Sequence, residues 1–118
     1  MADVTVARVT DFAPGSRRVV RTGRVEIGVF NVDGKYFALP NACAHQFGPL
    51  CEGVVTGTFI ANGRTGWRRR WVHEGAILTC PWHSLEYDIT TGRCLAYPAI
   101  KLRQYPVRVE DGYVVVSV

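Results

Sequence analysis

Cys43-Ala44-His45 and Cys80-Pro81-Trp82-His83 decide how this chain is read. Each phrase places one thiol and one imidazole on a tight segment bordered by turn-forming or small residues. A single Cys-x-His is a weak signal; two Cys/His pairs, one Cys-x-His and one Cys-x-x-His, make a ligand set. Thiolate favours soft metals, and imidazole serves iron, zinc and copper alike. Donor chemistry alone therefore leaves two readings. One is a tetrahedral structural zinc site with two Cys and two His. The other is a [2Fe-2S] cluster with one iron held through sulfur and the other through nitrogen.

The rest of the chain reads as β-structure. Val4 to Val9, Arg18 to Arg21, Val25 to Val32 and Lys35 to Leu39 alternate or are rich in β-branched residues, the pattern of half-buried strands. Asp33-Gly34 separates two of these runs, and Asp111-Gly112 separates Leu102 to Val109 from Tyr113 to Val118. Both are hairpin signals, because glycine tolerates the positive φ of a tight turn. Leu85 to Ile89 and Arg93 to Ala96 flank Thr90-Thr91-Gly92, and Ala76 to Thr79 is a short strand leading into the second ligand phrase. No window of helical length carries a sustained 3.6-residue period. The expected fold is all-β, an antiparallel sandwich or barrel, with the ligand phrases on loops that a rigid scaffold presents.

The stretch from Thr56 to Gly75 differs in composition. It holds Asn62-Gly63 and Thr65-Gly66, then Trp67-Arg68-Arg69-Arg70-Trp71-Val72-His73. A hairpin or protruding arm with its turn near residues 62–66 is predicted, its base close to the metal site. Trp67 and Trp71 flank Arg68, Arg69 and Arg70, and Trp and Arg are enriched at interface hot spots. These five are candidate partner-docking residues, against the plainer reading of a solvated face. His73, beside Glu74, is expected to be solvated.

The 118 residues, 47% hydrophobic and 20% charged, suit one folded domain over 1–118. No apolar run approaches the roughly 20 residues of a membrane helix. Met1 to Val6 has no basic stretch followed by an apolar one, so no membrane association and a cytoplasmic location are expected. The formal charge of +4 favours an acidic partner surface. The basic residues are spread over the chain without a nucleic-acid motif, so nucleic acid is not an expected partner. Cys51 and Cys94 lack a His at ligand spacing and are expected to be small buried side chains, with a bridge between them left open.

Local context separates the two metal readings. His45-Gln46-Phe47-Gly48-Pro49-Leu50-Cys51-Glu52-Gly53 and Cys80-Pro81-Trp82-His83-Ser84-Leu85-Glu86-Tyr87-Asp88 resemble the two cluster loops of Rieske iron–sulfur proteins. Thr91-Gly92-Arg93-Cys94-Leu95 and Tyr97-Pro98-Ala99 resemble the segment that follows the second loop in that family. The resemblance runs from about Ala38 to the C-terminus. It implies a Rieske-like fold with a small cluster-binding subdomain at approximately 41–98, carrying an inserted arm at approximately 56–75. It also implies one [2Fe-2S] cluster, with Cys43 and Cys80 on the inner iron. His45 and His83 would bind the outer iron through Nδ1, their Nε2 edges facing solvent as the route for electrons. Tyr87, Ser84, Trp82 and Pro98 would surround the cluster. Tyr87 matches a hydrogen-bond donor to sulfur and Pro98 a covering proline, while Phe47, Pro49, Leu50 and Trp82 would form a dry collar.

Three departures from the family pattern matter. The ligand pairs are separated by Gln46 to Thr79, longer than in most soluble members. Ser84 stands where glycine is usual, a mild strain if φ is positive there. High-potential respiratory members carry a loop disulfide and a serine donor; here Trp82 and Leu85 occupy those second-loop positions. Fewer donors stabilise the reduced cluster less, which implies a midpoint in the lower half of the roughly −150 to +300 mV Rieske range.

The implied function is one-electron transport by a Rieske-type ferredoxin. It would take electrons from a flavin- or nicotinamide-dependent reductase and pass them to a terminal oxygenase, such as an aromatic-ring hydroxylating system. Catalysis by this chain is not expected. A mononuclear iron needs two His and a carboxylate, and only His73 is spare. Two alternatives stand beside this. One is a Rieske relay subunit held in a multi-subunit oxidoreductase, with the arm as its interface. The other is a structural zinc-binding interaction domain.

Overall fold

The computed structural model describes residues 3–23, 25–42, 49–60, 70–81 and 85–118, and among them nine strands form three antiparallel three-stranded sheets. In the first sheet, β1 (Asp3–Arg8) lies beside β9 (Tyr113–Ser117), which lies beside β8 (Val107–Glu110). The second sheet is the meander β2 (Arg17–Thr22), β3 (Val25–Val32) and β4 (Lys35–Pro40). The third is β5 (Val54–Ile60), β6 (Arg70–Thr79) and β7 (Glu86–Asp88). No helix among the described residues is long and apolar enough to cross a membrane.

The second sheet is a wall with an apolar cluster on either side. Ile27 and Val29 of β3 join Phe12, Ala38, Val114 and Val116 against the first sheet. Phe30 of the same strand joins Leu39, Leu50, Leu78, Cys80 and Tyr87 against the third. Successive side chains of a strand point to opposite faces, so one strand feeds both cores and is buried from Ile27 to Asn31. The same alternation sends Ala38 to one cluster and Leu39 to the other. Asn31 is the one polar residue in this interior among the described residues. Its Nδ2 donates to the Phe12 carbonyl at 2.8 Å and its Oδ1 accepts from the Gly34 N–H at 2.8 Å.

Both Asp-Gly hairpins form where the sequence predicts them. Asp33 and Gly34 have φ of 52° and 88°, and Asp111 and Gly112 have φ of 51° and 79°, values suited to two-residue turns that match strand twist. Other runs depart from expectation. Residues 93–96 and 101–105 make isolated bridges, Tyr87↔Cys94, Arg93↔Lys101 and Ala38↔Tyr105, instead of strands. Pro98 and Pro106 interrupt this stretch, and proline has no N–H to give a ladder; β8 starts only after Pro106. Three-residue 3-10 turns occupy Val9–Asp11 and Leu50–Glu52, too short to leave a period in sequence.

The described residues of the arm, 56–60 and 70–75, belong to the third sheet. β6 extends well beyond the predicted Ala76 to Thr79. It pairs with β5 from Val54↔Thr79 to Thr56↔Ile77, and again from Thr58↔Val72 to Ile60↔Arg70. Between these ladders Gly57 alone on β5 faces residues 73–76 on β6, where Gly75 takes φ of 79°. The Trp71 indole lies against the Gly57 backbone, so close that a Cβ at position 57 would stand 2.8 Å from Cε2. The predicted turn near 62–66 lies outside the described residues.

Candidate functional site

The second ligand phrase begins at Cys80, directly after β6, and β7 pairs back onto β6 beyond it. Thr79 pairs with Glu86, and the Cys80 N–H donates to the Leu85 carbonyl at 2.8 Å, so Cys80 and Leu85 are held together. Cys80 is 1% exposed and belongs to the apolar cluster between the second and third sheets. A thiol at a strand end, buried among Leu39, Leu50, Leu78 and Tyr87, is held away from water on a rigid support.

The first ligand phrase leaves the end of β4 and returns through the 3-10 turn at Leu50–Glu52. Its two ends are tied together by Asn41. The Asn41 Oδ1 accepts from the Cys51 N–H at 2.7 Å, and Nδ2 donates to Glu26 Oε2 at 3.1 Å. The Asn41 backbone N–H donates to the Glu26 carbonyl at 2.9 Å, which secures the site to β3. Just beyond the turn, the Arg17 guanidinium of β2 donates to the Gly53 carbonyl. No sequence signal marked Asn41, Glu26 or Arg17, because each acts through a partner distant in the chain.

The loops are rooted side by side. Val54 pairs with Thr79, the residue before Cys80. Gly53 lies so near the Thr79 backbone that any Cβ there would overlap the carbonyl oxygen. The donor chemistry of the sequence, two Cys and two His, fits a [2Fe-2S] cluster, and the described thiol, Cys80, is buried. Cys80 is the one expected ligand among the described residues; Cys43, His45 and His83 lie outside them.

Cys51 and Cys94 are free and fully buried. The Cys51 Sγ sits 3.7 Å from the Leu39 carbonyl and 3.6 Å from that of Pro40. Burial pushes its thiol up to about 12, so it stays protonated at neutral pH and is a poor nucleophile. Cys94 packs in the same cluster as Cys80 and bridges to Tyr87 through the backbone.

The remaining predicted residues divide by position. Tyr87 is fully buried in the Cys80 cluster, as is Leu50, while Pro49 is half-buried and Pro98 is exposed. Trp71 is 45% exposed on β6. Arg70 opens β6. Phe47, Trp67, Arg68, Arg69, Trp82 and Ser84 lie outside the described residues.

Comparison with known proteins agrees with this geometry. The family model for the Rieske [2Fe-2S] domain matches residues 2–106. The chain is 28% identical over 119 residues to the 3-phenylpropionate/cinnamic acid dioxygenase ferredoxin subunit of Photorhabdus laumondii subsp. laumondii, covering 100% of this chain and 96% of that protein. Among solved structures it is similar to the Sphingomonas yanoikuyae B1 ferredoxin, with a TM-score of 0.71, 28% identity and 99% of each chain covered. It is also similar to a chain in the complex of reduced oxygenase and oxidised ferredoxin in carbazole 1,9a-dioxygenase, with a TM-score of 0.74, 25% identity and 98% and 92% of the two chains covered. The chain belongs to the Rieske [2Fe-2S] family, and with it to the proteins that carry electrons on one cluster held by two Cys and two His.

Proposed function

We propose that this chain is the ferredoxin component of an aromatic-ring dioxygenase system, receiving electrons from a reductase and delivering them to a terminal oxygenase. Cys43 and Cys80 hold the inner iron, and His45 and His83 hold the outer iron. The observation that carries this reading is the buried Cys80 directly after β6, rooted against the first ligand loop. The chain around it aligns along its whole length with a dioxygenase ferredoxin subunit. The cluster, when bound, supplies one-electron redox chemistry. The protein keeps water from Cys80 and fixes the roots of both loops on sheets two and three.

The partner surface follows from charge. A net charge of +4 suits an acidic docking face on the reductase or oxygenase, with Arg68, Arg69, Arg70, Trp67 and Trp71 as the contact residues. The protein works in the cytoplasm as one domain, its cluster-binding part spanning approximately 41–98.

The test is direct. Anaerobically purified protein contains two iron and two acid-labile sulfide per chain, and its reduced form gives the rhombic paramagnetic signal of a mixed Cys/His cluster. Cys80→Ser and His83→Ala abolish that signal, whereas Cys94→Ala retains it. A colourless protein holding one zinc overturns the reading. Replacing the three arginines with glutamate slows electron exchange with the partner and flattens its salt dependence; an unchanged rate rejects the docking role.

A further inference from the structure

Asn41 uses its backbone N–H and both ends of its side-chain amide to join β3 to the far end of the first ligand loop. Its backbone N–H and its Nδ2 both donate to Glu26, at 2.9 and 3.1 Å, and its Oδ1 accepts from the Cys51 N–H at 2.7 Å. Glu26 in turn accepts from Arg21 at 3.1 Å. We propose that Asn41 is a positioning residue for the Cys43 and His45 side of the cluster, acting as a clasp that closes the loop between residues 41 and 51 onto β3. This rests on the ligand assignment proposed above.

Three features favour a clasp over an ordinary polar side chain at a strand end. First, the Cys51 N–H belongs to the opening turn of a 3-10 segment, where N–H groups have no acceptor within the helix. Asn41 Oδ1 supplies one from across the loop. Secondly, the site demands an amide. One end must donate to a carboxylate and the other must accept from an N–H, and aspartate in its place would set two carboxylates about 3 Å apart. Thirdly, both anchors are placed by the fold. Cys51 is seated in the space left by the absent side chain of Gly28, and Glu26 lies on the central strand. Tying the two ends of a loop to one point reduces the freedom of the residues between them, and Cys43 and His45 are among those residues. The metal environment is tuned by how firmly such supports hold its ligands.

The test compares the purified holoprotein with Asn41→Ala, Asn41→Asp, and Asn41→Asp combined with Glu26→Gln. Iron release to a chelator is followed by the loss of visible absorbance, and the reduced paramagnetic spectrum is recorded for each. Asn41→Ala is expected to release iron about tenfold faster, as for a buried N–H deprived of its acceptor, and to broaden the rhombic lines. Asn41→Asp alone does the same through carboxylate repulsion. The combined variant restores both readouts, because the glutamine amide at position 26 donates to the carboxylate at 41 and the clasp re-forms with its polarity reversed. Release within twofold of wild type together with superimposable lines in Asn41→Ala overturns the clasp. If Asn41→Ala fails to fold, the combined variant decides: lines as broad as those of Asn41→Asp alone overturn the proposal, and recovery supports it. A wild-type protein lacking the rhombic signal defeats the cluster reading and the clasp with it, whereas a normal wild type with unaffected variants defeats the clasp alone.

Discussion

Gly28 and Cys51 share one space between the second sheet and the first ligand loop. A Cβ on Gly28 would stand 2.5 Å from the Cys51 Cβ and nearer still to its sulfur, with Phe30 Cε2 at 3.1 Å. Gly28 lies in the middle of β3, paired with Val19 on one side and Leu39 on the other. The requirement for glycine here is steric. Gly28→Ala should cost about 1–3 kcal/mol through overpacking, read as a lower denaturant midpoint. Combined with Cys51→Gly, the loss should be smaller than the sum of the single changes, because removing the Cys51 side chain frees the space that the new Cβ would enter. Strict additivity would show that the two residues do not share this space.

The same burial governs Cys51 chemistry. Loss of solvent raises its thiol from 9.0 to about 12. A group that holds its proton more tightly in the folded state contributes stability that is complete below its unfolded value and is lost as pH climbs towards its folded value. Between pH 9 and 12, wild type should lose up to about 1.4 kcal/mol per pH unit relative to Cys51→Ala. At pH 8 the native thiol should react with alkylating reagents only as fast as the protein opens. Parallel pH profiles for the two proteins, or immediate labelling of Cys51, would contradict this.

What was legible in the sequence were features whose cause is local. Asp33-Gly34 and Asp111-Gly112 announced their hairpins because positive φ is a property of the turn residues themselves. The two Cys/His phrases announced a Rieske [2Fe-2S] family member because their spacing is chemical. The Asn41 clasp was not legible: its partners Glu26 and Cys51 come together only once β3 and β4 pair and the 3-10 turn folds back. Strand β6 was underestimated for a similar reason. Its outer part follows a wide irregularity at residues 73–76 that breaks the alternation. Conversely, the predicted strand from Leu102 was cut short by Pro106, whose missing N–H delays the ladder to Val107.

The first sheet carries an exposed ion-pair network. Arg108 on β8 holds Asp3 of β1 at 2.8 Å and Glu110 at 2.8 Å, and Ser117 donates to Asp3 at 3.0 Å. The bond from Arg108 lowers the Asp3 carboxyl below its ordinary value of 3.8. A depressed carboxyl contributes stability that is present above the unfolded value and is lost as pH falls through the folded one. Asp3→Asn should therefore be slightly less stable than wild type at pH 7, and the two should converge in acid below the ordinary carboxylate range. The pair is exposed, so the difference should shrink at high salt. A gap that persists in strong acid would assign the effect to something other than this ion pair.

The midpoint potential follows from what stands near the second ligand loop. Hydrogen-bond donors to sulfur stabilise the reduced cluster and raise its potential. Leu85, at the close of this loop, offers no side-chain donor, although its carbonyl receives the Cys80 N–H at 2.8 Å; Tyr87, two residues on, is fully buried in the Cys80 cluster. Wild type is therefore expected in the lower half of the roughly −150 to +300 mV range. Leu85→Ser keeps the backbone bond that closes the loop and adds a hydroxyl, so the midpoint should rise by some tens of mV, on the order of ~30–60 mV. Tyr87→Phe removes a hydroxyl of nearly the same shape and should move it in the opposite direction. Redox titration of the three proteins settles the matter: a wild-type midpoint well above about +150 mV, or a Leu85→Ser protein that titrates with wild type, would mean that donors at these two positions do not set the potential.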